Sequence, residues 1–217
     1  MAQKKNSTRE KIIEFYMDEV LTKKETSKSI YAFAKENGFD ETDFYEHFNS
    51  FEALEKNIFA IFCDQAVNLL SKSEDYETYD SKHKLLSFYY TFFEVLTANR
   101  SYVSLKLKEN KNKLETLKKL SALKKAFLHF YKSIEIERVD FKNDKMNKFQ
   151  EKGIDETAWG QLLFTMQFWL DDDSNGFEKT DIFIEKSIHA SFDVMNIAPV
   201  KSVFDFAKFI WKEKMQA

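Results

Sequence analysis

Turn-forming residues are nearly absent from this chain: its 217 residues include four glycines and one proline. An all-β fold of that length would need many tight turns built on Gly, Pro or Asn. Helices are therefore the expected regular element, and the apolar spacing agrees. Ile12, Ile13, Tyr16, Met17, Val20 and Leu21 recur at the helical period and predict an amphipathic helix over 8–23. Ser29 is placed to cap a short second helix, 30–37, which Gly38 ends. A third short helix follows over 41–48, and Asn49 or Ser50 caps a long fourth over 51–71. Beyond the polar break SKSEDYETYDSKHK, helices are predicted over 85–98, 114–134, 157–170, 180–195 and 200–214. The expected fold class is all-α, with three short helices joined by a long one to a C-terminal helical bundle.

The balance of charges narrows the function. Thirty-three basic against 36 acidic residues give a net charge of −3, so any contact with nucleic acid must be local. The single Cys63 excludes an intramolecular disulfide, and no apolar signal core follows MAQKKNSTREK, which implies a cytoplasmic protein. His47, His83, His129 and His189 lie far apart and form no zinc-binding spacing. With no phosphate-binding glycine loop and no base paired with a nucleophile, neither enzyme activity nor a cofactor is expected.

The stretch LDDDSNGFEKT resembles the opening of a calcium loop at Asp171-x-Asp173-x-Asn175-Gly176. Its twelfth position, where a bidentate Glu is needed, is Ile182, and Lys179 brings a cation among the ligand positions. The stretch instead reads as a connection between two helices: Leu170 closes an apolar stripe, Gly176 permits positive φ and Thr180 caps the next helix. No metal is expected.

Phe33-Ala34, Gly38-Phe39 and Phe44-Tyr45-x-x-Phe48-x-Ser50-x-Glu52-x-Leu54 carry a resemblance over residues 9–60 to the TetR family of bacterial one-component regulators. The resemblance implies a helix-turn-helix DNA-binding domain over 1–52 and a C-terminal ligand-binding and dimerisation domain over 53–217. It further implies a homodimer whose DNA grip is controlled by a hydrophobic ligand. On this reading Thr42, Tyr45 and His47 face bases or phosphates, Ser29 lies beside them, and Lys4, Lys5 and Arg9 form a basic arm. The chain departs from the family at Asp40, Thr42 and Asp43, where Ser, Gly and Thr are usual, and at Phe51, where Lys is usual. From Glu36 to Glu55 it has seven acids and no Lys or Arg, a composition that opposes phosphate binding.

A second local resemblance, Leu170-x-Asp172-x-Ser174-x-x-Phe177-Glu178-x-Thr180-x-x-Phe183, is to the TetR-fold ubiquinone-biosynthesis accessory proteins of mitochondria. It implies a different role: a degenerate helix-turn-helix without DNA binding, on a lipid- or isoprenoid-binding, membrane-associated accessory protein. The apolar face of 200–214, ringed by lysines, would then touch a membrane, or else pack on its own bundle. For either role Phe88, Phe92, Phe127, Tyr131, Phe164 and Phe168 are the expected ligand-pocket residues. Trp159, Leu163, Met166, Ile184 and Ile188 are the expected dimer interface.

Overall fold

The computed structural model describes residues 8–23, 27–108, 117–136, 142–196 and 209. Among the described residues every regular element is helical. The helices are α1 (Arg9–Thr22), α2 (Ile30–Glu36), α3 (Glu41–His47), α4 (Phe51–Leu70), α5 (Ser81–Ala98), α6 (Arg100–Lys108), α7 (Ser121–Ser133), α8 (Asp144–Asp171) and α9 (Glu178–Asn196), with short 3₁₀ turns at Tyr76–Thr78 and Asn175–Phe177. No described helix is long and apolar enough to cross a membrane. The expected helix over 200–214 lies, apart from Phe209, outside the described residues.

Two compact units interleave along the chain, one made of 1–66 and 92–126, the other of 67–91 and 127–217. The first contains α1, α2 and α3 around an aromatic core. Phe33, fully buried, meets Tyr16, Phe39, Phe44 and Phe51 edge-on at ring separations of 6.3, 5.6, 6.2 and 5.5 Å. Edge-to-face pairs place positive ring edges on negative ring faces, so each adds to the apolar burial. Phe51 also stacks on Tyr16 at 5.5 Å and meets Phe44 edge-on at 5.5 Å.

The same unit holds a polar node. The Glu55 carboxylate on α4 accepts from Tyr16 Oη of α1 at 2.5 Å and from Lys106 Nζ of α6 at 2.5 Å, with Lys119 Nζ 3.8 Å away. Burial pushes the Glu55 carboxyl up, but the Lys106 ammonium and the Tyr16 hydroxyl outweigh it and hold the group below its ordinary range. Lys106 is only 11% exposed, so removing Glu55 leaves a poorly hydrated cation behind. A double-mutant cycle of Glu55→Gln and Lys106→Met is expected to give a coupling of about 1–2 kcal/mol. Chemical denaturation of the four proteins measures it; additive losses would show that the pair is energetically idle.

In the second unit Phe88 stacks on Phe130 at 4.2 Å, and Phe127 contacts Phe88, Tyr89, Tyr131 and Trp159 at 5.7–6.5 Å. Leu162, Met166 and Trp169 of α8 and Ile184 and Ile188 of α9 are also buried. Beyond an earlier start of α5 (Ser81 against the expected 85) and a later start of α7 (Ser121 against the expected 114), two elements differ from the sequence reading. The helix expected to begin at Thr157 begins at Asp144, because Asn143 accepts from the Lys145 and Met146 N–H groups at 3.0 and 3.2 Å and starts it early. The other is α6, which went unpredicted: its apolar content is small, and Tyr102 and Val103 are its buried anchors.

The calcium-like stretch is closed by hydrogen bonds. Asp172, 7% exposed, accepts at Oδ1 from the Ser174 N–H and hydroxyl (2.9 and 2.6 Å) and at Oδ2 from the Thr180 N–H and hydroxyl (2.9 and 2.6 Å). Burial raises the Asp172 carboxyl, yet these donors prevail and hold it well below the usual carboxylate range. Asp173 pairs with Lys179 at 2.7 Å, and Gly176 takes φ +61° as its turn requires. Thr180 is not the cap expected. It sits inside the first turn of α9 and donates to Asp172, whose charged oxygens are stronger acceptors than a hydroxyl.

Candidate nucleic-acid interface

The α2 and α3 helices are joined by Asn37, Gly38, Phe39 and Asp40, and Gly38 adopts φ +74°, where a Cβ would be strained. Phe33 and Ala34 of α2 and Phe39 and Phe44 of the turn and α3 are buried, which fixes the two helices against each other. Ser29 caps α2, its hydroxyl accepting from the Ala32 N–H at 3.2 Å. Its role is therefore first structural. With the inner faces committed to the core, α3 turns Thr42, Tyr45, Glu46 and His47 outward, and Tyr45 is 50% exposed. The adjoining surface is a shallow groove of about 660 Å³ lined by Tyr31, Lys35, Gly38, Asp40, Glu41 and Thr42 among others.

The structure accounts for much of the acidity. Asp40 and Asp43 form a reciprocal capping box at the start of α3, with the Asp40 N–H 3.4 Å from Asp43 Oδ2. Carboxylates there are also favoured by the partial positive charge of a helix N-terminus. Glu36 pairs with Lys23, and Glu55 belongs to the polar node. Of the seven acids, Glu41, Glu46 and Glu52 remain on the surface, and the Tyr45 hydroxyl is 3.4 Å from Glu41. Cations flank this surface: Lys28 and Lys35 are exposed on the α2 side, and the Arg9 guanidinium lies 5.7 Å over the Phe48 ring at the end of α3. Lys4 and Lys5 lie outside the described residues.

The other expected residues fall in three places. Phe88, Phe127 and Tyr131 meet in the ring cluster of the second unit, while Phe92 belongs to the first. Phe164 and Phe168 do not join them; they lie on the outer side of α8 against Phe183, at 5.6 and 4.5 Å. Of the expected dimer residues, Trp159, Met166, Ile184 and Ile188 are buried within their own chain and Leu163 is partly so, because the inward stripes of α8 and α9 are used up in the core. Phe164 and Ile182, 64% and 51% exposed, take the outward positions, beside a groove of about 470 Å³ formed by Phe168, Lys179, Ile182, Phe183, Lys186 and Ser187. Sequence periodicity marked the stripe but not which Phe fell outside it.

Cys63 is fully buried and burial drives its thiol far up, so it is an inert core residue. Among the described residues no cluster of His, Cys, Asp and Glu could hold a metal ion.

Among the described residues the protein is all-helical, with two short helices across a glycine turn and longer helices after them. Residues 84–210, more than half of the chain, match the family model described as tetracyclin repressor-like, C-terminal domain, and the chain belongs to that family. No curated protein matches it.

Proposed function

We propose that the protein is a one-component transcriptional regulator that binds DNA as a homodimer through the α2–α3 head and responds to a hydrophobic ligand in its C-terminal domain. The observation that carries this reading is the outward set Thr42, Tyr45, Glu46 and His47 on α3, all exposed beside a buried aromatic core, with Tyr45 meeting Phe44 edge-on at 6.0 Å and His47 6.4 Å from the Phe48 ring. A helix displayed in this way enters the major groove with its first turns. The division into a DNA-binding domain over 1–52 and a ligand and dimer domain over 53–217 belongs to the same proposal, as does a cytoplasmic location.

The dimer face is assigned to the outer sides of α8 and α9, centred on Phe164, Phe168, Ile182 and Phe183. Exposed aromatic residues in a contiguous apolar patch are costly unless covered, and a two-fold pairing covers both copies at once. The ligand would occupy apolar space beside the Phe88, Phe127 and Tyr131 cluster, which suits an acyl, isoprenoid or aromatic molecule better than a sugar. The accessory-protein alternative draws on the surface acids Glu41, Glu46 and Glu52, which repel phosphate.

The test is binding of the purified full chain to a pool of genomic fragments at low and moderate salt, with Tyr45→Ala alongside. Selective retention is expected, with about a tenfold loss or more in Tyr45→Ala. The salt dependence should be shallow, because few cations flank α3 and each phosphate contact adds about 0.9 to the slope. A folded protein that retains no fragment even at low salt, yet binds vesicles of anionic phospholipid, would decide for the accessory role.

A further inference from the structure

The chemistry of α3 restricts what it can read. Every strong base-reading cation is missing from the turn and the helix, since residues 36–55 contain no Lys or Arg. The outward side chains at one helical spacing are Thr42, Tyr45 and Glu46, with Glu41 behind Tyr45. Asp40 and Asp43 are turned back into the capping box, and Glu41 is half-buried with the Tyr45 hydroxyl 3.4 Å from it. Glu46 is thus the most exposed carboxylate on α3, clear of the cap and one helical turn from Thr42.

A carboxylate only accepts hydrogen bonds. In the major groove guanine offers the acceptors N7 and O6, thymine offers O4, and adenine sets its amino group next to the acceptor N7. Cytosine alone presents an amino donor without an adjoining acceptor on the same edge. Glu46 would be repelled by guanine and thymine, would meet the N7 acceptor beside the amino group of adenine, and would be fully satisfied by cytosine alone. We propose that Glu46 is a specificity-determining residue that selects cytosine N4 in each half-site, with Thr42 and Tyr45 as hydroxyl partners and Lys28, Lys35 and Arg9 supplying the flanking phosphate contacts. This inference rests on the DNA-binding reading above, and it reverses the meaning of the acidity. The charge that weakens non-specific binding becomes the means of rejecting wrong sequences.

The experiment selects binding sites from a randomised duplex pool with the full-length protein, then measures affinities by fluorescence anisotropy. Selected half-sites are expected to share a cytosine whose replacement by thymine weakens binding roughly 10- to 100-fold. In Glu46→Gln the preferred base at that position should move from cytosine to adenine, because an amide can donate to N7 while accepting from N6. Glu52→Gln removes the same charge from α4; it should raise affinity for all sequences alike and leave the base preference where it was.

Selected sites without a shared cytosine, or an unchanged preference in Glu46→Gln, would overturn the assignment of Glu46 while leaving the regulator intact. An affinity gain in Glu46→Gln that matches Glu52→Gln at every base would do the same, reducing Glu46 to bulk charge. No selected site from folded protein would overturn the DNA-binding reading and this inference with it.

Discussion

Phe33→Ala is expected to cost about 3–5 kcal/mol and to unfold the α1–α3 head selectively. Phe33 is fully buried and touches four other rings, so truncation removes its own burial, breaks four edge-to-face contacts and leaves a cavity among rigid aromatic side chains that cannot close over it. Trp159 and Trp169, both on α8, belong to the second compact unit. Their emission therefore serves as an internal control. Hydrogen exchange should show α1, α2 and α3 amides losing protection while tryptophan emission stays native. Phe33→Leu, which restores most of the volume but no ring, should recover roughly half of the loss. Uniform loss of protection along the whole chain would mean that the head is not a separable element of stability.

Asp172→Ala should destabilise the α8–α9 connection by about 3 kcal/mol, a fall in melting temperature of roughly 6–12 °C. The substitution strands four donors, two of them on the buried Thr180, whose N–H and hydroxyl have no other acceptor of comparable strength. Asp172→Asn separates charge from shape, since one oxygen remains and the new amide confronts donors. Its loss at neutral pH should approach that of the alanine variant. The pH dependence has a definite sign. Because the folded carboxyl is held below its unfolded value of about 3.9, its contribution is fully present above that pH and fades as pH falls below it. The gap between wild type and Asp172→Asn, measured by urea denaturation, should therefore be largest near pH 7 and narrow toward pH 3. A constant gap would mean that the carboxylate charge is not what the four donors recognise. Trp169, 6.1 Å from the Phe177 ring in the same connection, gives a local fluorescence signal for the measurement.

The limits of the sequence reading follow from particular residues. Short helices were placed to within a residue or two because Ser29, Gly38 and Ser50 act locally: a hydroxyl meets an N–H three residues on, and a glycine takes positive φ. Asn143 is an equally local signal, but the polar run after it hid the start of α8. Nothing local distinguished Asp172, which accepts from a residue eight positions away, or Glu55, whose partners lie 39 and 51 positions away. The acids at 40 and 43 were legible as charge but not as caps. Their charge opposes DNA in composition, whereas in the fold it is spent on the backbone of α3.

By itself the sequence determined the helical class, the order and ends of the N-terminal helices, and the family, since scarce glycine, periodic apolar residues and short-range caps act within one or two turns of chain. Only the tertiary structure decided which aromatic side chains were core and which were surface. Phe33, Phe88 and Phe127 went inside while Phe164 stayed out, and Trp159, Met166, Ile184 and Ile188 are buried within their own chain. Periodicity fixes the face of a helix on which a residue lies; what covers that face depends on neighbours brought in from distant parts of the chain.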